Sequence, residues 1–275
     1  DVEQLCLGVM NDFLPVLTTG EAIIKPVADR CHQIKEQVVD AETRDCLTKA
    51  DSGKLRGRFG WVAGTLFGRC GRGGATALEQ RHQGHDAHLA PALTPALRLA
   101  LRFIFVVVDC VPPRAVLVRG PRRMHWQVWS DASYEMEQVT TEDWVPTGTP
   151  CRMGYLYRKA GDCNPANTRG ATAALSDVVL KKFLPKKQQI SQCELFTVYL
   201  ALYHEAAQWE GADIIWFIDN VSAAMAIIKG ASAKADLSAI TVAIHAVFAR
   251  LRIRVWVEYV ESASNPSDGL SRAGL

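Results

Sequence analysis

Between residues 125 and 259 the apolar side chains switch repeatedly between strand and helix spacing. Residues 125–131 and 153–159 predict strands, and 171–179 a weaker third. Leu195, Val198, Tyr199, Leu202 and Ala206 recur at helical spacing, which predicts a helix over 191–209 with one apolar stripe. The unbroken apolar run 214–218 predicts a central buried strand. A short helix over 223–229 follows. A longer one over 235–251 turns Leu237, Ile240, Ile244, Val247, Phe248 and Leu251 inward. Ile253, Val255, Val257 and Tyr259 alternate as a last strand, and Asn265-Pro266 opens a terminal helical turn. The order β-β-β-α-β-α-α-β-α predicts a mixed sheet with helices on its faces.

Upstream the pattern differs. Residues 22–47 and 96–109 carry helical spacing, although the run 103–108 equally suits a strand. Residues 54–79 are rich in Gly and Arg. Pro112-Pro113 and Gly120-Pro121 interrupt the chain between 111 and 125, which places a domain boundary there.

Composition narrows the class. The chain has 275 residues, 48% of them hydrophobic, enough for a sizeable core and two domains. A net charge of +2 is too small to signal nucleic acid by itself, so that case rests on local clusters. The 8 cysteines form no CxxC pair, which favours reduced thiols in a cytosolic or nuclear protein over a disulfide framework or a zinc site. The N-terminus lacks the pattern of a signal peptide. The apolar run 103–108 is bounded by Arg102 and Asp109, far short of the roughly 20 residues of a membrane helix, so no membrane is expected. The chain begins without methionine, as a fragment or processed piece would.

Four acids stand out: Asp131 in VWSDAS, Glu194 in QISQCELF, Asp219 in IIWFIDNVS and Asp268 in SNPSDGLSR. A carboxylate at the end of an apolar strand must be solvated, paired or bound to a cation. Singly, Glu194 could be a charge favouring a helix N-terminus, Asp268 a cap, and Asp219 part of a turn or cap with Asn220. Together they suit phosphodiester hydrolysis at two metal ions about 3.5–4 Å apart, for which magnesium favours hard oxygen ligands.

These segments carry a resemblance. Residues 121–275 look like the ribonuclease H domain of retrotransposon-type reverse transcriptases, through SDAS, CELFTVYLAL, FIDNVSAAMAIIKG and SNPSDGLSR. The resemblance implies an α/β fold: a ribonuclease H-like mixed five-stranded sheet of order 3-2-1-4-5 flanked by helices. It implies cleavage of the RNA strand of RNA–DNA hybrids with two Mg2+ ions, or Mn2+, held by Asp131, Glu194, Asp219 and Asp268. Cellular members place a histidine before the last aspartate, and VESASNPSD has none. Residues 1–120 resemble, more weakly, the end of the palm and the mostly helical thumb or connection region, through LCLGVMNDF and GKLRGRFGWVAGTLFGRCGR. No Tyr-x-Asp-Asp turn is present, so the polymerase palm and fingers are expected upstream in the same polyprotein. Two alternatives stay open: another nuclease of the same fold, and a catalytically decayed fragment acting only as a nucleic-acid-binding module.

Arg56, Arg58, Arg69 and Arg72, with Lys54, gather positive charge around Trp61 and Phe67, where phosphates would be held; a solvated helix face is the plainer account. Lys181, Lys182, Lys186 and Lys187 form a second cluster before the helix carrying Glu194, either a hybrid-binding lip or a surface loop. His82, His85 and His88 are spaced by three, but Gly84 and Pro91 weaken a helix there and no fourth ligand is evident.

Overall fold

The computed structural model describes residues 3–6, 9–84, 91–119, 124–138, 144–146, 151–183 and 189–273, with backbone only at 136–138, 144–146 and 273. The chain divides into two compact units, Asp1–Arg122 and Arg123–Leu275.

In the first unit, strands β1 (Glu3–Cys6), β2 (Val9–Asp12), β3 (Glu21–Pro26) and β4 (Arg114–Leu117) form an antiparallel sheet in that order. Helical spacing over 22–47 was therefore misleading at its start. Residues 21–26 are a strand because they pair on both sides, and helix α1 (Ala28–Thr43) begins only after Pro26. Helix α2 (Lys49–Ala63) is opened by Thr48, whose hydroxyl accepts from Asp51 N. Helices α3 (Arg72–Gln83) and α4 (Pro95–Cys110) follow. The ambiguous run 103–108 lies inside α4, with Ile104, Val107 and Val108 buried against Leu97 and Leu101. These side chains share a core with Ile34, Val38, Leu55, Phe59 and Leu78. Arg81 is buried within it and donates to the carbonyls of Leu47 and Ala92.

The second unit is built on β5 (His125–Ser133), a small hairpin of β6 (Met136–Gln138) and β7 (Trp144–Pro146), then β8 (Arg152–Lys159) and β9 (Arg169–Ala174). The expected third strand over 171–179 ends at Ala174, and helix α5 (Asp177–Leu180) takes up the rest. Helix α6 (Ile190–His204) and helix α7 (Ala206–Trp209) replace the single helix expected over 191–209. The break falls at Glu205, whose carboxylate accepts from the hydroxyls of Tyr155 and Tyr157 on the sheet. Strand β10 (Asp213–Ile218), helices α8 (Val221–Lys229) and α9 (Ala235–Arg250), strand β11 (Arg254–Tyr259) and helix α10 (Asp268–Ala273) complete the unit.

The sheet order is β11-β10-β5-β8-β9. Strand β5 pairs parallel to β10 and antiparallel to β8; β10 pairs parallel to β11, and β8 antiparallel to β9. Numbered along the chain, this is the order 3-2-1-4-5 of a ribonuclease H-like α/β fold. Successive strand residues point to opposite faces. Trp126 and Val128 on β5, Tyr155 and Tyr157 on β8, and Ile214, Trp216 and Ile218 on β10 share one core with Leu195, Val198 and Leu202 of α6 and Ile244 and Phe248 of α9. Trp216 Nε1 donates to Ser130 Oγ inside it, 3.0 Å away. Helix α10 packs on β5 and β8.

Candidate active site

Parallel pairing of β5 with β10 runs from His125↔Asp213 to Ser130↔Ile218. Asp131 and Asp219 are the next residue on each strand, so the register itself sets the two carboxylates side by side. Asp131 does not end its strand, as the apolar pattern had suggested. On its other side β5 continues to Ser133, with Asp131 opposite Gly154 of β8. Asp219 follows the last residue of β10, and the cap of α8 is not its task. Asn220 fills that role, accepting from Ala223 N at 3.0 Å.

Glu194 arrives from the helix layer. It lies just past the first turn of α6 and is 2% exposed, so it is not a solvated charge at the helix start. Its Oε1 accepts from Ala132 N at 3.2 Å. Ala132 is next to Asp131, so this bond draws the glutamate to the same strand end. One oxygen each from Asp131, Glu194 and Asp219 lies within 4.8 Å of the others.

Asp268 stands on the rim. It opens α10, and Arg272 Nε donates to its Oδ1 at 2.8 Å. The turn before it is pinned by Asn265, which is buried: Nδ2 donates to Ser130 O at 3.1 Å, while Oδ1 accepts from the amide and hydroxyl of Ser267. Ser271, fully buried, places its hydroxyl on Asp131 Oδ2 and on Asp268 O. Gly154 makes the close docking of α10 possible, since a Cβ there would lie 2.7 Å from Leu270 Cβ and 3.0 Å from Ser271 N. Asn265, Ser267 and Ser271 were legible only as letters of the SNPSDGLSR motif, with no sequence signal for their partners.

The electrostatics follow from this crowding. Burial pushes the Asp131 carboxyl up to about 6; the Ser271 hydrogen bond opposes that, while Asp219 and Asp268 push it further. Glu194 is raised well above the usual carboxylate range, first by burial and then by the charges of Asp131 and Asp219, against the pull of the Ala132 amide. Its Oε2 is buried and finds no hydrogen-bond partner among the described residues. A buried carboxylate oxygen without a donor, facing two further acids, is what a cation would satisfy. Three hard oxygen donors suit magnesium or manganese.

The basic residues are less gathered. Arg56 is ion-paired to Glu79, and Lys54 lies 3.9 Å from Asp51. Arg58, Arg69 and Arg72 are exposed, Trp61 is 43% exposed, and Phe67 is buried, so the charge does not surround both aromatics. Lys181 and Lys182 are exposed after α5. His82 lies on α3, with Nδ1 3.2 Å from Lys49 O. Lys186, Lys187, His85, His88 and the Gly120-Pro121 break fall outside the described residues. No helix among the described residues is long and apolar enough to cross a membrane.

No protein-family model matches the chain, and no curated protein does. Among solved structures it is similar to ribonuclease H1 from the archaeon Halobacterium salinarum NRC-1, at 13% identity over 55% of this chain and 96% of that one, with a TM-score of 0.41. The N-terminal ribonuclease H domain of Rv2228c from Mycobacterium tuberculosis matches at 12% identity over 55% and 93%, with a TM-score of 0.39. A foamy viral protease-reverse transcriptase in complex with RNA/DNA hybrid matches at 12% identity over 94% of this chain and 29% of that one, with a TM-score of 0.31. At these scores the fold assignment rests on strand order and register, not on the likeness.

Proposed function

We propose that the second unit is a metal-dependent endonuclease that cleaves the RNA strand of RNA–DNA hybrids. The observation that carries this is the convergence of Asp131, Glu194 and Asp219 from three separate elements, one of them with a buried oxygen that no donor among the described residues satisfies. Asp268 joins them from the rim as the fourth ligand. Two divalent ions held there would supply the attacking nucleophile and neutralise charge on the phosphate and leaving oxygen. The protein's own part is to orient the ligands. Ala132 N fixes Glu194, Ser271 fixes Asp131, and Asn265 fixes the turn that presents Asp268. Burial raises Asp131 to about 6 and raises Glu194 as well, so a cation binding there competes with protons.

The hybrid would be recognised by shape, phosphates and 2′-hydroxyls rather than by base sequence. The first unit offers a face for such contacts. On α2, Lys54, Arg58 and the half-exposed Trp61 lie on the solvent side, and a Cβ at Gly57 or Gly60 would meet nothing within 4 Å. Glycine at an exposed helix position costs roughly 1 kcal/mol relative to alanine, and here it leaves room for a ligand's backbone. Residues 1–120 are on this account the palm end and thumb or connection region of a retrotransposon-type reverse transcriptase. The motif resemblance supports that context.

The test is cleavage with magnesium of a hybrid, duplex DNA, duplex RNA and single strands side by side, with Asp219→Asn as control. RNA cut only in the hybrid, and lost in the variant, is the expected result. Equal cutting by both proteins would remove the assignment. Preference for another substrate would favour a different nuclease of this fold, and binding without cutting would favour a decayed module.

A further inference from the structure

Three carboxylates meet inside the cluster, and a fourth, Asp268, lies close enough for its charge to act on Asp131. Among the described residues a cation reaches this rim. Arg272, one helical turn after Asp268, donates from Nε to Asp268 Oδ1 at 2.8 Å. The pair is loosely held: the side chains are 70% and 31% exposed. An exposed pair of this kind is worth a factor of about five at most. Nε is the engaged nitrogen; no bond from the two terminal nitrogens to another described residue is present. The backbone beneath is anchored separately, because the neighbouring Ser271 is bound to Asp131 and packed over Gly154. The guanidinium can therefore leave Asp268 without α10 moving.

We propose that Arg272 is an exchangeable counter-ion: it occupies Asp268 until a divalent cation takes that carboxylate, and then holds a phosphate oxygen of the substrate. This rests on the nuclease reading above. The exchange is chemically matched on both sides. A divalent ion competes with a guanidinium for the same carboxylate oxygen, and the freed planar fork fits a phosphate better than an ammonium does. The same side chain then weakens metal binding at the rim and strengthens substrate binding, opposite effects that a merely structural arginine would not have.

The test uses the whole chain and manganese. Bound Mn2+ is counted by electron paramagnetic resonance during titration of the wild type, Arg272→Gln and Arg272→Lys, and KM and kcat for a hybrid are measured on the same samples. In Arg272→Gln the weaker manganese site should tighten about two- to fivefold, the tighter site should move less, and KM should rise severalfold while kcat holds. Arg272→Lys should recover part of the KM. Both sites tightening equally would mean that Arg272 acts only as a distant charge. Metal and substrate binding weakening together would mean that it merely holds α10. Either result overturns the exchange while leaving the nuclease standing. No manganese bound by any of the proteins would overturn both.

Discussion

Asp131 and Asp219 each stand one residue beyond Ser130 and Ile218, the last partners in the parallel pairing of two central strands. One backbone register therefore decides the separation of the two carboxylates. A slip of one residue in either strand would turn one of them to the opposite face. The same relationship explains why folding this sheet gathers charge that is unfavourable until a cation arrives.

Removing one charge should therefore help the metal-free fold. Asp219→Asn is expected to raise the melting temperature without metal by a few degrees and to abolish most of the rise that magnesium causes in the wild type. Calorimetry with and without magnesium checks both halves. A variant less stable than the wild type without metal would show that the carboxylates are not in conflict.

Stability without metal should also depend on pH. Asp131 keeps its proton up to about 6 in the native state, and burial likewise raises Glu194 well above its ordinary range, whereas ordinary carboxylates in the unfolded chain release theirs near 4. In that interval the native state binds more protons than the unfolded one, so stability falls as pH rises. The penalty is absent below the ordinary carboxylate range. For Asp131 it is complete just above pH 6, where two pH units correspond to about 3 kcal/mol at most. Denaturant unfolding between pH 4 and 8 in the presence of a chelator measures this. Saturating magnesium should flatten the curve, and a metal-free curve already flat would contradict the burial argument.

Gly154→Ala should damage the site more than the fold. Its methyl group would press on Leu270 and Ser271, the residues that seat α10 beside Asp131. Overpacking of this kind costs about 1–3 kcal/mol. Hybrid cleavage should fall at least tenfold at temperatures where the variant is still folded, as circular dichroism would verify. Unchanged cleavage in a folded variant would show that α10 has room to spare.

On the first unit, Arg58→Ala should weaken hybrid binding while leaving the melting temperature nearly unchanged, because its side chain lies on the solvent side of α2; Trp61→Ala should weaken binding too, with some loss of stability because Arg30 lies over its ring, 5.9 Å from the centroid. Arg58→Ala should also lower the salt dependence of binding by about one phosphate contact. Fluorescence anisotropy at several salt concentrations reads both. Equal affinities for variants and wild type would mark α2 as a plain surface helix.

The apolar periods identified the five strands of the second unit's main sheet and its longer helices to within a few residues, missing only the β6–β7 hairpin among the described strands, and the order of strands and helices anticipated a mixed sheet. Errors came where a tertiary partner overrode a local period. Residues 21–26 share helical spacing with α1, yet two neighbouring strands claim them. The helical stripe runs on to Ala206, yet two tyrosine hydroxyls from the sheet hold Glu205 at a break. Glu194 alone reads as a charge near a helix start, and only the docking of α6 on β5 buries it.

The sequence by itself determined the main-sheet strands and the longer helices of the second unit, and that acids sit near the ends of apolar runs, because those properties depend on neighbours along the chain. Tertiary structure alone decided that Asp131 lies beside Asp219, that Glu194 loses its water, and that Asn265 and Ser271 tie the terminal turn to β5. These contacts join residues separated by 62 to 140 positions. No local period encodes such distances; strand register and the close seat at Gly154 set them.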